Sequence, residues 1–203
     1  MGTRFDTTPA AVRWSEAMHA MALAMWLAAL AGAGLAAAIA FPAMKSLQPS
    51  LPDFPGAVPD HWMIAGGHIG RPAFMIADRA SLLAAALAVI TLAIVTRLGR
   101  VHGAWLAVRW ACVGIAASLA VFNGLFLAPR MDDHLVAYWE AAKQGDLERA
   151  ARDRALFTAD HPTASRILGI SAVLVLGGIG TTAGSRTVPG RSAAAVRDAS
   201  GES

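Results

Sequence analysis

The segment ASLLAAALAVITLAIVT, residues 80–96, carries no charge and is bounded by Asp78 and Arg79 on one side and Arg97 on the other. Its apolar residues are continuous rather than alternating, and its length is close to the ~20 residues with which a helix crosses a ~30 Å hydrocarbon core. Inside lipid every backbone polar group must be paired within a helix or a closed barrel, and a continuous apolar run fits the helix.

Similar uncharged runs extend from Ala17 to Met44, from Trp110 to Pro129 and from Ile167 to Ser185. The whole chain agrees, with 56% hydrophobic and 15% charged residues, where a soluble domain has roughly 25% charged. The reading is an all-α integral membrane four-helix bundle over 17–185, with spans at 17–41, 73–97, 103–128 and 165–184. A polar tail, 1–16, precedes it and a disordered tail, 186–203, follows it. The first apolar run exceeds the 7–15 residues of a signal-peptide core and follows a segment of mixed charge, so it reads as a retained span.

The net charge of +3 does not indicate nucleic-acid binding, because fifteen arginines and two lysines are spread over every loop and tail with acids among them. The expected surroundings are a lipid bilayer, with a homo-oligomer or a membrane partner protein as further contacts. Cys112 is the single cysteine, which excludes an intrachain disulfide and a Cys-pair redox enzyme. Cations are densest in the tails and in the short turn 97–102, which places both termini in the cytoplasm of an inner (plasma) membrane.

Between the spans, Phe41-Pro42 ends the first helix, because proline disfavours helical geometry in the residue before it. Four prolines make 45–59 an extended loop. The run 61–72 is apolar, but its three glycines and Pro72 make it a broken juxtamembrane or re-entrant element. In the connection 131–166, Leu135, Tyr138, Trp139 and Ala142 share one stripe, and Leu147, Ala150, Ala151 and Ala155 share another beyond Gly145. These predict two short amphipathic helices against the membrane surface or the bundle, ending at Asp160-His161-Pro162-Thr163. Glycines in spans one and four predict close backbone packing.

Charges at membrane depth cost at least ~2.5 kcal/mol each, so they mark candidate sites. Arg109 lies about two turns inside span three; it either snorkels to the nearby face or shares a polar pocket with His19. At the opposite face Asp78, Arg79, Asn123 and Arg130 predict an ion-pair and hydrogen-bond layer that could receive a small solute. His61, His68, His134 and His161 all fall on the two long loops, three of them directly after an aspartate, and are the candidates for a metal site. His19 with His102 is the corresponding candidate for haem ligation. Neither spacing is diagnostic, so no cofactor is assigned. No Ser-His-Asp, paired-carboxylate or phosphate-loop arrangement occurs in the spans, which points away from an enzyme.

Three stretches, Phe41-Pro42-Ala43-Met44, residues 65–74 and Asn123-Gly124-Leu125-Phe126-Leu127-Ala128-Pro129-Arg130, resemble the four-helix membrane family that includes transmembrane protein 205. The likeness covers roughly residues 17–185 and leaves the proline-rich 45–59 loop unmatched. It implies an integral membrane protein of undefined activity, with Asn123, Pro129 and Arg130 as signature positions and no catalytic residue.

Overall fold

In the computed structural model, which describes residues 9–55, 60–98 and 103–184, the chain is an all-α four-helix bundle. The helices are α1 (Pro9–Leu47), α2 (His61–Arg97), α3 (Ala104–Phe122), α4 (Ala128–Lys143) and α5 (Leu147–Gly184), with a π-helical turn, Asn123–Leu127, joining α3 to α4. Four helical rods, α3 and α4 forming one of them, are long and apolar enough to cross a membrane. The tail 186–203, residues 1–8, and Gly99, Arg100 and His102 lie outside the described residues.

Each rod is longer than its expected span. At 1.5 Å per residue the 37 residues of α2 measure about 55 Å, well beyond a ~30 Å hydrocarbon core. Three predicted breaks are absent: α1 passes through Pro42, α2 through Pro72 and α5 through Pro162. Membrane helices tolerate proline because packed neighbours stabilise the interrupted turn.

The glycines of 61–72 are the reason that this run packs as a helix rather than breaking. A Cβ on Gly66 would lie 2.8 Å from the Phe41 ring, and one on Gly67 would lie 2.9 Å from Trp139. The two bare backbone positions admit an aromatic ring from α1 and another from α4. Gly177 and Gly178 likewise face Cys112 and Leu23 closely, whereas Gly32, Gly34 and Gly180 meet nothing within 4 Å and do not serve close packing.

The amphipathic segments form on both sides of Gly145, as their stripes predict, but as continuations of spans three and four. The reversal between them follows from two residues. Gly145 has φ 74°, a conformation that favours glycine. The Asp146 N–H bonds to the Ala141 carbonyl at 3.0 Å, closing a Schellman C-cap, and the Asp146 carboxylate accepts the Arg149 N–H at 3.0 Å, capping α5.

The main core consists of Leu23, Trp26 and Leu30 of α1 with Ala88 and Leu92 of α2, Val113 and Ala116 of α3, and Val175 of α5. A second core joins Phe54, Ile64, Tyr138, Trp139, Ala142 and Ala150 at the loop end. Ion pairs tie that end together: Arg71 to Asp132, Arg130 to Asp160 and Arg154 to Asp60.

Candidate functional site

Polar groups enter the bundle at two depths. The first is near the chain termini. Arg109, on the second turn of α3, has 0% exposure. Its Nη1 donates to both Glu16 carboxylate oxygens, at 3.2 and 3.1 Å. Nη2 donates to the Thr181 carbonyl at 3.0 Å and Nε to the Thr181 hydroxyl at 3.3 Å. The guanidinium therefore binds α1 and α5 to α3 from a fully buried position, with Glu16 and Thr181 rather than His19 in hydrogen-bond contact with it.

His19 lies one turn inward of Glu16 and is also wholly buried. Its Nδ1 is 3.0 Å from the Thr91 hydroxyl of α2. Because that hydroxyl donates to the Leu87 carbonyl at 2.6 Å, it accepts from His19, which places the ring proton on Nδ1. Nε2 then presents a lone pair to the interior, and it has no hydrogen-bond partner.

Two further buried polar atoms without partners lie deeper, the Trp26 Nε1 and the Ser171 Oγ. Trp26 is ten residues below Glu16 on α1, and Ser171 is ten below Thr181 on α5. Both therefore sit about 15 Å inward of Arg109. Buried polar atoms are normally paired, because leaving one unmade costs roughly 1–3 kcal/mol.

The second depth lies at the opposite membrane face. The Asn123 Nδ2 donates to Asp78 Oδ1 at 2.8 Å. Asn123 opens the π-helical turn, a wide turn that often marks a functional position. One residue on, a Cβ at Gly124 would lie 2.8 Å from Leu82, so the turn rests on the α2 face formed by Asp78 and Leu82. Ser81, on that same face, is 6% exposed.

The predicted four-residue layer is thus smaller than expected. Asp78 and Asn123 meet, whereas Arg130 makes a bidentate pair with Asp160, at 2.8 and 2.6 Å. Arg79 is exposed and joins neither pair.

The four loop histidines do not converge. Both nitrogens of His61 are engaged, Nδ1 accepting the Leu51 N–H at 3.1 Å and Nε2 donating to the Phe54 carbonyl at 2.9 Å. His68 stacks on Trp139 with ring centroids 4.0 Å apart, and His161 lies against Phe157. Among the described residues no group of three His, Cys, Asp or Glu side chains could hold a metal ion. For the haem candidate, His19 is committed to Thr91 through Nδ1, and His102 lies outside the described residues.

Sequence reasoning missed Glu16, Thr91, Thr181, Ser81, Trp26 and Ser171. Glu16 had a usable signal: it stands three residues before His19, on the same helix face. The threonines and serines had none, because isolated hydroxyls in an apolar helix usually bond back to their own backbone.

No protein-family model, curated protein or solved structure matches this chain.

Proposed function

We propose that this chain is a non-enzymatic, multi-pass membrane protein that takes a small polar solute into its helix bundle. The observation that carries this reading is the set of polar atoms without partners at His19, Trp26 and Ser171, inward of the fully buried Arg109 and its partly buried partner Glu16. A bundle serving only as a scaffold would be at least as stable with apolar residues there, since a buried ion pair rarely outperforms well-packed hydrophobic side chains. Ionisable groups at membrane depth are by default functional. The cation-dense tails support termini in the cytoplasm of an inner membrane. Kinship with the transmembrane protein 205 family belongs to the same proposal and rests on the Asn123–Arg130 segment.

Purified protein in lipid vesicles tests the reading. Stopped-flow swelling in glycerol and in urea, and proton entry followed with an internal pH dye, are each compared with protein-free vesicles. At least one rate is expected to rise tenfold or more and to fall with His19→Leu. Rates equal to those of empty vesicles for all three probes would exclude the proposal.

A further inference from the structure

One face of α1 is left uncovered by the rest of the chain. Met21, Met25, Ala28, Gly32, Leu35 and Ile39 follow one another at alternating steps of four and three residues, so they form one line along the helix. All six are exposed. The line carries no charge, and the charged side chains that bracket it turn back into the bundle. Glu16 accepts from Arg109, and the Lys45 Nζ lies over the Trp62 ring, 5.6 Å from its centroid.

Lipid accounts for only part of this face. The His19–Thr91 contact and the Phe41 ring against Gly66 set α1 antiparallel to α2, which puts Ala31 level with Arg79 and Ile39 level with Arg71. Arg79 bounds the apolar part of α2, so the line beyond Ala31 runs outside the hydrocarbon, alongside the Arg71–Asp132 and Arg130–Asp160 ion pairs. At that level Leu35 and Ile39 are 61% and 60% exposed. An apolar patch left open among charges marks an interaction surface. The segments 1–8, 99–102 and 185–203 join the helices at the other end of the bundle, and 56–59 are held between Pro55 and Asp60. The cover therefore comes from another molecule.

Gly32 gives an independent sign. A Cβ there would meet nothing within 4 Å, so no neighbour in its own chain requires a residue that weakens a helix interior. Ala28 and Gly32, four residues apart on the line, have the spacing of small residues by which two membrane helices approach closely.

We propose that this face is the seam of a homodimer, in which two copies inserted in the same orientation pair through α1, with Ala28 and Gly32 at the closest approach. A second copy suits the face because an uncharged line meets itself across a two-fold axis without repulsion, and a charged partner would find no counter-charge on it. Pairing covers Leu35 and Ile39, and the flexible Met21 and Met25 side chains adapt to their symmetry mates. The seam does not depend on the solute reading, whose polar atoms lie on the buried side of α1.

Cross-linking of the full-length protein in phosphatidylcholine vesicles tests the seam. In a Cys112→Ala background, Ala28→Cys and Leu35→Cys should each give a covalent dimer on oxidation with copper phenanthroline. Val173→Cys, 69% exposed on α5 and eight residues inward of Thr181, should remain monomeric. Gly32→Leu should raise the protein-to-lipid ratio at which half of the chains are dimeric by at least about tenfold, read from bleaching steps of labelled protein. Cross-linking decides alone should Gly32→Leu fail to fold. Monomers at every ratio, a dimer fraction unchanged in Gly32→Leu, or Val173→Cys cross-linking as fast as Leu35→Cys would overturn the seam.

Discussion

Arg109 shows how much one side chain can demand of its neighbours. The guanidinium cannot shed its proton, so its burial at 0% exposure requires a compensating carboxylate, and Glu16 supplies it. Removing that partner is the severe change. Glu16→Gln removes the carboxylate that faces a buried cation and is expected to destabilise the fold by about 3–5 kcal/mol. Adding Arg109→Met to Glu16→Gln removes the buried charge itself, so the double variant should unfold at a higher temperature than Glu16→Gln alone; a lower midpoint would refute the account. At this scale the sequence was half legible. Arg109 and His19 stood out because ionisable residues are rare in apolar runs. Glu16 falls in the polar tail when its charge is used to bound the apolar span, although Thr8-Pro9 in the sequence is a helix-start signal that places it inside the helix.

Glycine and proline were the elements' misleading signals. Gly66, Gly67 and Pro72 read as breaks because isolated helices are weakened by them, but tertiary packing reversed their meaning: each bare position receives a ring that a side chain would exclude. Gly145 read correctly, since its left-handed conformation is a local property that packing does not alter. The same reasoning applies at Gly124, where a Cβ would lie 2.8 Å from Leu82 Cδ1 and 3.1 Å from its Cγ. Gly124→Ala should therefore cost about 1–3 kcal/mol by overpacking, and Leu82→Ala in the same chain should recover part of it. Thermal unfolding of the two variants checks this, and a neutral Gly124→Ala would show that the helices can separate at no cost.

For the molecule as a whole, the four-span architecture was legible because lipid imposes it on length and charge placement alone. The levels of the charges required the helix register. The His19–Thr91 contact aligns α1 with α2, so Arg13 and Arg97, each six residues outward, share one level. The Arg109 contacts align α5 in turn, which puts Arg79 and Arg166 at a common level on the other side. Eighteen residues separate Arg79 from Arg97, about 27 Å of helix, matching a hydrocarbon core. α1 departs from this pattern, carrying no formal charge between Glu16 and Lys45. With Cys112 replaced by Ala, single cysteines at 13 and 97 should react with an impermeant maleimide from one side of a sealed vesicle. Cysteines at 79 and 166 should react from the other, and cysteines at Leu87 and Ile170 from neither. Labelling of Leu87→Cys as fast as Arg97→Cys would disprove this placement.

The π-helical turn has a consequence along the whole of its rod. On α3 the buried positions include Arg109, Val113, Ala116 and Ala120, a seven-residue pattern, and beyond the turn they include Met131, Tyr138 and Ala142. Ala116 and Met131 are fifteen residues apart, two heptads and one residue more. That extra residue is accommodated in the wide turn, which absorbs the ~100° that a residue inserted into a regular helix would add. The buried positions on the two sides of the turn therefore form one continuous face of the rod, with Arg109 towards α1 and α5 at one end and Trp139 against Gly67 at the other. A one-residue deletion between Asn123 and Leu127 should leave a regular helix with Trp139 still on Gly67, whereas a deletion within 110–119 would swing Trp139 away by about 100° while Arg109 kept its partners.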